Sequence, residues 1–165
     1  MTDEFQTRLS AQKQQYERGE GIHDLPPIFH YWSNKYLRPK VEAAFDASSV
    51  RDFYVKPFSE LFRIDQGQLR FVSVGSGDCS YEVELCDYLL SQNLKNCVFI
   101  CTEVNENLIA QARERIRQAG IGEWLRVEYF DVNRDNLDFP VHGFVAHHSL
   151  HHVVELERLF AMIPA

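Results

Sequence analysis

The stretch FVSVGSGDCSYEVEL, residues 71–85, runs an apolar strand pattern into Gly75-Ser76-Gly77-Asp78 and out into a helical one. Glycines so placed permit a tight turn and let a ligand approach the backbone closely. In a parallel sheet, ligands lie beyond the carboxyl ends of the strands. Two further strand ends carry suitable chemistry. Glu103 closes NCVFICTE, where a carboxylate accepts hydrogen bonds from ribose hydroxyls. Asp131 closes WLRVEYFD, well placed for the exocyclic amine of a purine. A GxG turn is often no more than a strand-to-helix junction, and an acidic strand end is most often solvated. On successive strand ends the three together point to an adenosine ligand.

The absent third glycine narrows the ligand. A dinucleotide turn would place it at Ser80, or at Cys79 in the shorter GxGxG spacing. Pyrophosphate lies against the helix amino terminus, and a small third residue lets that helix pack close to the strand. An adenosine ligand without phosphate relaxes the demand. S-adenosylmethionine is such a ligand, and its sulfonium cation suits a chain of net charge −7. The same acidic balance argues against a nucleic-acid partner, whose binding needs a basic face.

The elements that must hold these residues follow from periodicity. LRFVSVG reads as a buried strand, SYEVELCDYLLSQN as a helix with Val83, Cys86, Leu89 and Leu90 inward, and NCVFICTE as a second strand. NENLIAQARERIRQAG is the clearest helix, with Asn105 as cap, Leu108, Ile109, Ala112, Ile116 and Ala119 on one face, and Gly120 as its end. WLRVEYFD and HGFVAHH give a third and a fourth strand, and VVELERLFAMI begins a last helix. The alternation predicts an α/β fold, a Rossmann-like parallel sheet covered on both faces. Before it, residues 1–66 read as a helical extension or cap, with residues 67–165 as the sheet domain. In the extension Thr2 caps a helix carrying Phe5, Leu9 and Tyr16, Pro26 and Pro27 start another that Pro39 interrupts, and Pro57 breaks a third.

At 165 residues, 45% of them apolar, the chain has material for one real core. No run of about 18 apolar residues is present to span a bilayer, and the charged, glutamine-rich start lacks a signal-peptide core. Cys79, Cys86, Cys97 and Cys101 show no CxxC pairing, so no metal site is expected from them; they read as reduced packing residues of a cytoplasmic protein.

With these pieces in place, the sequence resembles the class I S-adenosylmethionine-dependent methyltransferases. The matching stretches are FVSVGSGD, FICTEVNENLIAQAR, LRVEYFDVN and FVAHHSLHHVVELERLF, about residues 69–160. The resemblance is closest to small-molecule enzymes with a leucine and two histidines after the fourth strand, here Leu150-His151-His152. It implies S-adenosylmethionine as cofactor, with Gly75 and Gly77 along the methionine and ribose, and Ser73, Ser76 and Asp78 on the same turn. Glu103 and Val104 would hold the ribose, Asp131 and Val132 would flank the adenine, and His147 to Leu150, His148 among them, would close over the sulfonium. The family commonly has an acidic residue where Ser73 stands, and seven strands where four are read here. A fourth strand left at the edge would be completed by further chain or by a second copy, as a homodimer.

The HHSLHH cluster, residues 147–152, admits three readings. Its histidines make ordinary hydrogen bonds at a strand end and helix start, or they border the acceptor, or they share a metal. For the second, His151 and His152 are the candidate catalytic bases for a hydroxyl or amine acceptor. The aromatic run Phe29, Tyr31, Trp32 and Tyr36 either packs on the sheet domain or forms a cap that selects the acceptor. Methyl transfer to a small molecule is therefore the leading expectation. A non-catalytic adenosine-binding or interaction module that completes its sheet with another chain is the alternative. A nicotinamide-dependent oxidoreductase is disfavoured by the third glycine position.

Overall fold

The computed structural model describes Thr7, residues 26–64 and residues 67–162. The helix expected around Phe5, Leu9 and Tyr16 lies outside the described residues. The chain divides into two compact units between Ala47 and Ser48.

In the first unit, Pro26 and Pro27 do open a helix. Helix α1 (Pro27–Trp32) passes through a widened π-turn at Ser33–Leu37 into α2 (Arg38–Phe45). Pro39, expected to interrupt the helix, sits instead in the first turn of α2. The path continues because the N–H of Arg38 reaches back five residues to the carbonyl of Ser33, the bond that defines a π-turn. Phe29, Tyr31, Trp32 and Tyr36 each keep about half of their surface exposed.

The second unit opens with α3 (Val50–Ile64), which does not break at Pro57. A proline inside a helix costs about 3 kcal/mol. Packing offsets it: Tyr54, Phe58, Leu61 and Phe62 recur at helical spacing and join the core of the sheet. The rings of Phe58 and Phe62 lie 4.4 and 6.0 Å from that of Phe71, while Pro57 faces solvent. Tyr88 Oη donates to Asp52 Oδ1 at 2.9 Å, tying α3 to the next helix.

Among the described residues four parallel strands form the sheet in the order β3-β2-β1-β4: β1 (Leu69–Val74), β2 (Cys97–Glu103), β3 (Leu125–Tyr129) and β4 (Gly143–Val145). This is the Rossmann-like architecture expected, with both faces of β1 and β2 buried. Leu69, Phe71, Phe99, Cys101 and Val145 face α3 and the helices α4 (Ser80–Ser91) and α5 (Glu106–Ala119). Val72, Val74 and Ile100 face Val153 and Leu159, the latter on α6 (Leu156–Ala161). Gly143 leaves room for Phe58: a Cβ there would stand 2.6 Å from the Phe58 ring.

Helix α5 follows its sequence pattern closely. Asn105 Oδ1 accepts from the N–H groups of Asn107 and Leu108 at 3.0 and 3.4 Å. Ile109, Ala112 and Ile116 are buried, and Gly120 ends the helix with φ +68°. Ala119, expected on the inner face, is exposed. On α4 the buried residues are Glu82, Leu85, Cys86 and Leu89, with Val83 and Leu90 partly buried beside them. No helix among the described residues is long and apolar enough to cross a membrane.

Candidate functional site

The glycine turn is built as its sequence requires. Gly75 and Gly77 both take left-handed backbone, φ +63° and +58°. A Cβ on Gly75 would stand 2.8 Å from Cβ of Ser149, whereas one on Gly77 would meet nothing within 4 Å. Gly75 thus admits the segment after β4, and Gly77 presents bare backbone to open space. Ser76 is pinned to β2 through its N–H, 3.0 Å from the carbonyl of Thr102. The third glycine position resolves at Cys79, which adopts the left-handed conformation itself, with φ +56°. The turn still asks for glycine geometry there; Cys79 meets it with a buried side chain that reaches Ser76 Oγ at 3.4 Å.

Glu103 stands at the end of β2, next to the turn. Its Oε2 accepts from the N–H of Gly77 at 3.0 Å, and its Oε1 from Val104 and Asn105 at 2.8 and 2.9 Å. A carboxylate offers about four lone-pair sites, so the Oε2 side retains acceptor capacity. Asp131, at the end of β3, is buried. Its Oδ1 accepts from the N–H of Asn133 at 3.0 Å and its Oδ2 pairs with Arg134 Nε at 3.4 Å, so both oxygens serve its own turn. Val132 is half-buried, and its carbonyl accepts from Arg158 Nη1 at 2.9 Å. Asp78 turns the other way, taking the N–H of Ser80 at 3.1 Å and pairing with Arg115 of α5 at 2.5 Å. Burial would raise its carboxyl, but the hydrogen bonds from Ser80 and the Arg115 charge hold it below the ordinary value.

Ser73 is fully buried, and its hydroxyl donates to Glu82 Oε1 at 2.6 Å. Glu82 is only 2% exposed, and its Oε2 has no hydrogen-bond partner among the described residues. Burial pushes this carboxyl up to about 7, against the lowering effect of the Ser73 hydroxyl; the negative charges of Asp78 and Glu103 push the same way as burial. Two more buried polar atoms are unpartnered in the same sense, Tyr81 Oη and Ser149 Oγ. The Tyr81 ring stacks on His147 at 4.3 Å between centroids, and Tyr54 meets both rings at 5.1 and 5.8 Å.

The histidine segment thus divides. His147 belongs to the Tyr54–Tyr81 cluster, and His148 is exposed with left-handed backbone, φ +57°. His151 and His152 share a short 3-10 turn with ring centroids 3.8 Å apart. That turn directly follows Ser149, whose Cβ lies against Gly75. Burial, and then the neighbouring His151 charge, lower the His152 imidazole below its ordinary value. Among the described residues no three His, Cys, Asp or Glu side chains gather so as to hold a metal ion. A groove of about 340 Å³ lined by Gln68, Arg70, Val98, Arg126 and Phe139 lies at the amino ends of the strands, away from these residues.

Glu82 and Tyr81 are not among the residues singled out from the sequence, whereas His147 and Ser149 fall in the stretch expected to close over the sulfonium. For Glu82 a signal existed: it falls three, four and seven positions before Leu85, Cys86 and Leu89, in register with the apolar stripe of α4.

No protein-family model matches the chain, and no curated protein matches it. Among solved structures it is similar to a protein from Methanococcus maripaludis provisionally named an S-adenosyl-L-methionine-dependent methyltransferase. The match has a TM-score of 0.54 at 11% identity, over 88% of this chain and 64% of that one. At that identity the likeness shows a shared fold, the parallel α/β fold described above. A methyltransferase from Thiobacillus denitrificans, solved with S-adenosyl-L-homocysteine, is also similar (14% identity, 86% of this chain and 52% of that one, TM-score 0.49). So is one from Geobacter sulfurreducens (15% identity, 87% and 53%, TM-score 0.49). The chain spans roughly half the length of the solved structures it matches.

Proposed function

We propose that this chain binds S-adenosylmethionine across the carboxyl ends of β1, β2 and β3 and takes part in methyl transfer to a hydroxyl or amine of a small molecule. One observation carries the reading: Glu103 is locked to the N–H of Gly77, so that a strand-end carboxylate and an open glycine backbone form one unit. The residues fit the ligand. Gly77 offers a surface that a side chain would fill, and Glu103 keeps acceptor capacity for ribose hydroxyls. Asp131 and Val132 flank the next strand end for the base. When bound, the ligand supplies an electrophilic methyl group on a cationic sulfur. His151 and His152, on the turn that follows Ser149, are the groups offered for taking the acceptor's proton. The depressed pKa of His152 keeps it neutral, and so able to accept a proton, near pH 7. The four unpaired, buried cysteines support a cytoplasmic setting.

A second reading is supported by β4, which has three residues and pairs only with β1 among the described strands. On it, the chain is an adenosine-binding module that completes its sheet with another copy, and a dimer in solution would favour it. The deciding test of the adenosine site is calorimetric titration with S-adenosylmethionine and with NADH, repeated on Glu103→Ala. Binding of S-adenosylmethionine that falls at least tenfold in the variant is expected. Binding of NADH alone, or no effect of the substitution, would refute the assignment.

A further inference from the structure

Three buried polar atoms of the second unit, Tyr81 Oη, Glu82 Oε2 and Ser149 Oγ, have no partner among the described residues. They are not scattered. Glu82 is held by Ser73, two residues before Gly75, and Ser149 lies against Gly75 itself. Tyr81 adjoins Glu82 in sequence, and the Glu82 charge acts on it. Buried polar atoms in folded proteins are nearly always satisfied, and a buried carboxylate is the most costly to leave unpaired. Among the described residues no basic side chain pairs with Glu82. The charges that act on its carboxyl, Asp78 and Glu103, are negative, and its own charge acts on Tyr54, Tyr81 and Cys101, with Arg51 acting on the same Tyr81 and His147 stacked on that ring.

We propose that Glu82 is a ligand-binding residue whose carboxylate, oriented by the Ser73 hydroxyl, receives the α-ammonium group of an amino-acid-bearing adenosine ligand, with Tyr81 and Ser149 as neighbouring polar contacts. The inference rests on the adenosine site proposed above and names the group that reads the other end of the ligand. On this account Ser73 contributes through Glu82, and the anionic contact comes from the helix rather than from the strand.

A consequence is that binding is coupled to a proton. The free protein holds Glu82 largely protonated below about pH 7. An ammonium favours the ionised form, so binding in mild acid releases a proton, and affinity rises as the pH increases through neutrality.

The test uses two ligands with an uncharged sulfur, S-adenosylhomocysteine and 5′-deoxy-5′-methylthioadenosine, which share the adenosine and differ in the amino-acid portion. Calorimetry would be run on the wild type, Glu82→Gln and Glu103→Ala, at about pH 6 in two buffers of different ionisation enthalpy. Glu82→Gln should weaken S-adenosylhomocysteine by roughly tenfold to a hundredfold, the range for losing a charged hydrogen bond. It should leave methylthioadenosine within about twofold and abolish proton release, and retained methylthioadenosine binding also shows that the variant is folded. Glu103→Ala should weaken both ligands. If Glu82→Gln binds S-adenosylhomocysteine like the wild type, or loses both ligands alike, the assignment of Glu82 is wrong while the adenosine site stands. If the wild type binds neither ligand, the adenosine site itself is refuted and this inference with it.

Discussion

Replacing Glu82 with glutamine should make the protein more stable at neutral pH and change it little in acid. Burial raises the Glu82 carboxyl from 4.5 to about 7. Below the lower value the folded and unfolded chains both hold the proton. Between the two values the unfolded chain releases it while the folded one keeps it, so stability falls as pH rises. Above about 7 the loss is complete and constant. At about 1.4 kcal/mol per pH unit across that interval, the full loss is about 3 kcal/mol, of which about 2 kcal/mol develops between pH 5 and 7.5. Glutamine preserves the shape and can still accept from the Ser73 hydroxyl, but it has no proton to lose. The assay is urea unfolding of both proteins at the two pH values. It can be followed through the fluorescence of Trp124, whose indole N–H donates to the Lys95 carbonyl at 3.1 Å. The stability difference between variant and wild type should grow by about 2 kcal/mol from the acid to the neutral condition, in favour of the variant. Parallel pH profiles would show that Glu82 titrates like a solvated carboxylate, and the argument from its burial would be refuted.

Two further perturbations probe the frame around the site. Gly75→Ala should lower the melting temperature more than Gly77→Ala. Both incur a left-handed penalty of about 1 kcal/mol, but only the first drives a methyl group to 2.8 Å from Ser149; equal losses would mean that the segment after β4 does not rest on the turn. Asn105→Ala removes the cap of α5 and should cost about 1 kcal/mol in urea unfolding, largely recovered by Asn105→Asp. No loss would mean that the two N–H groups it serves are satisfied otherwise.

Much of this molecule is determined locally and was therefore open to a sequence reading. The alternation of apolar strands with amphipathic helices dictates a parallel α/β sheet, because each such strand must be covered on both faces. The paired glycines, the acidic end of β2, the Asn105 cap and the Gly120 stop are local as well: each follows from backbone conformation or from a hydrogen bond spanning a few residues.

Other features depend on partners distant in the chain. Pro57 predicts a broken helix by propensity, yet α3 stays continuous because Phe58 and Phe62 pack on Phe71. Strand order, with β4 beside β1, brings Ser149, far along the chain, against Gly75. Glu82 is the sharpest case. Its position matched the apolar stripe, but a carboxylate is expected to face water because its burial is costly. Only the fold supplies the Ser73 hydroxyl that holds one oxygen, and the surroundings that leave the other unpartnered. Sequence periodicity could place that residue on a face; what it meets there is decided by the tertiary structure.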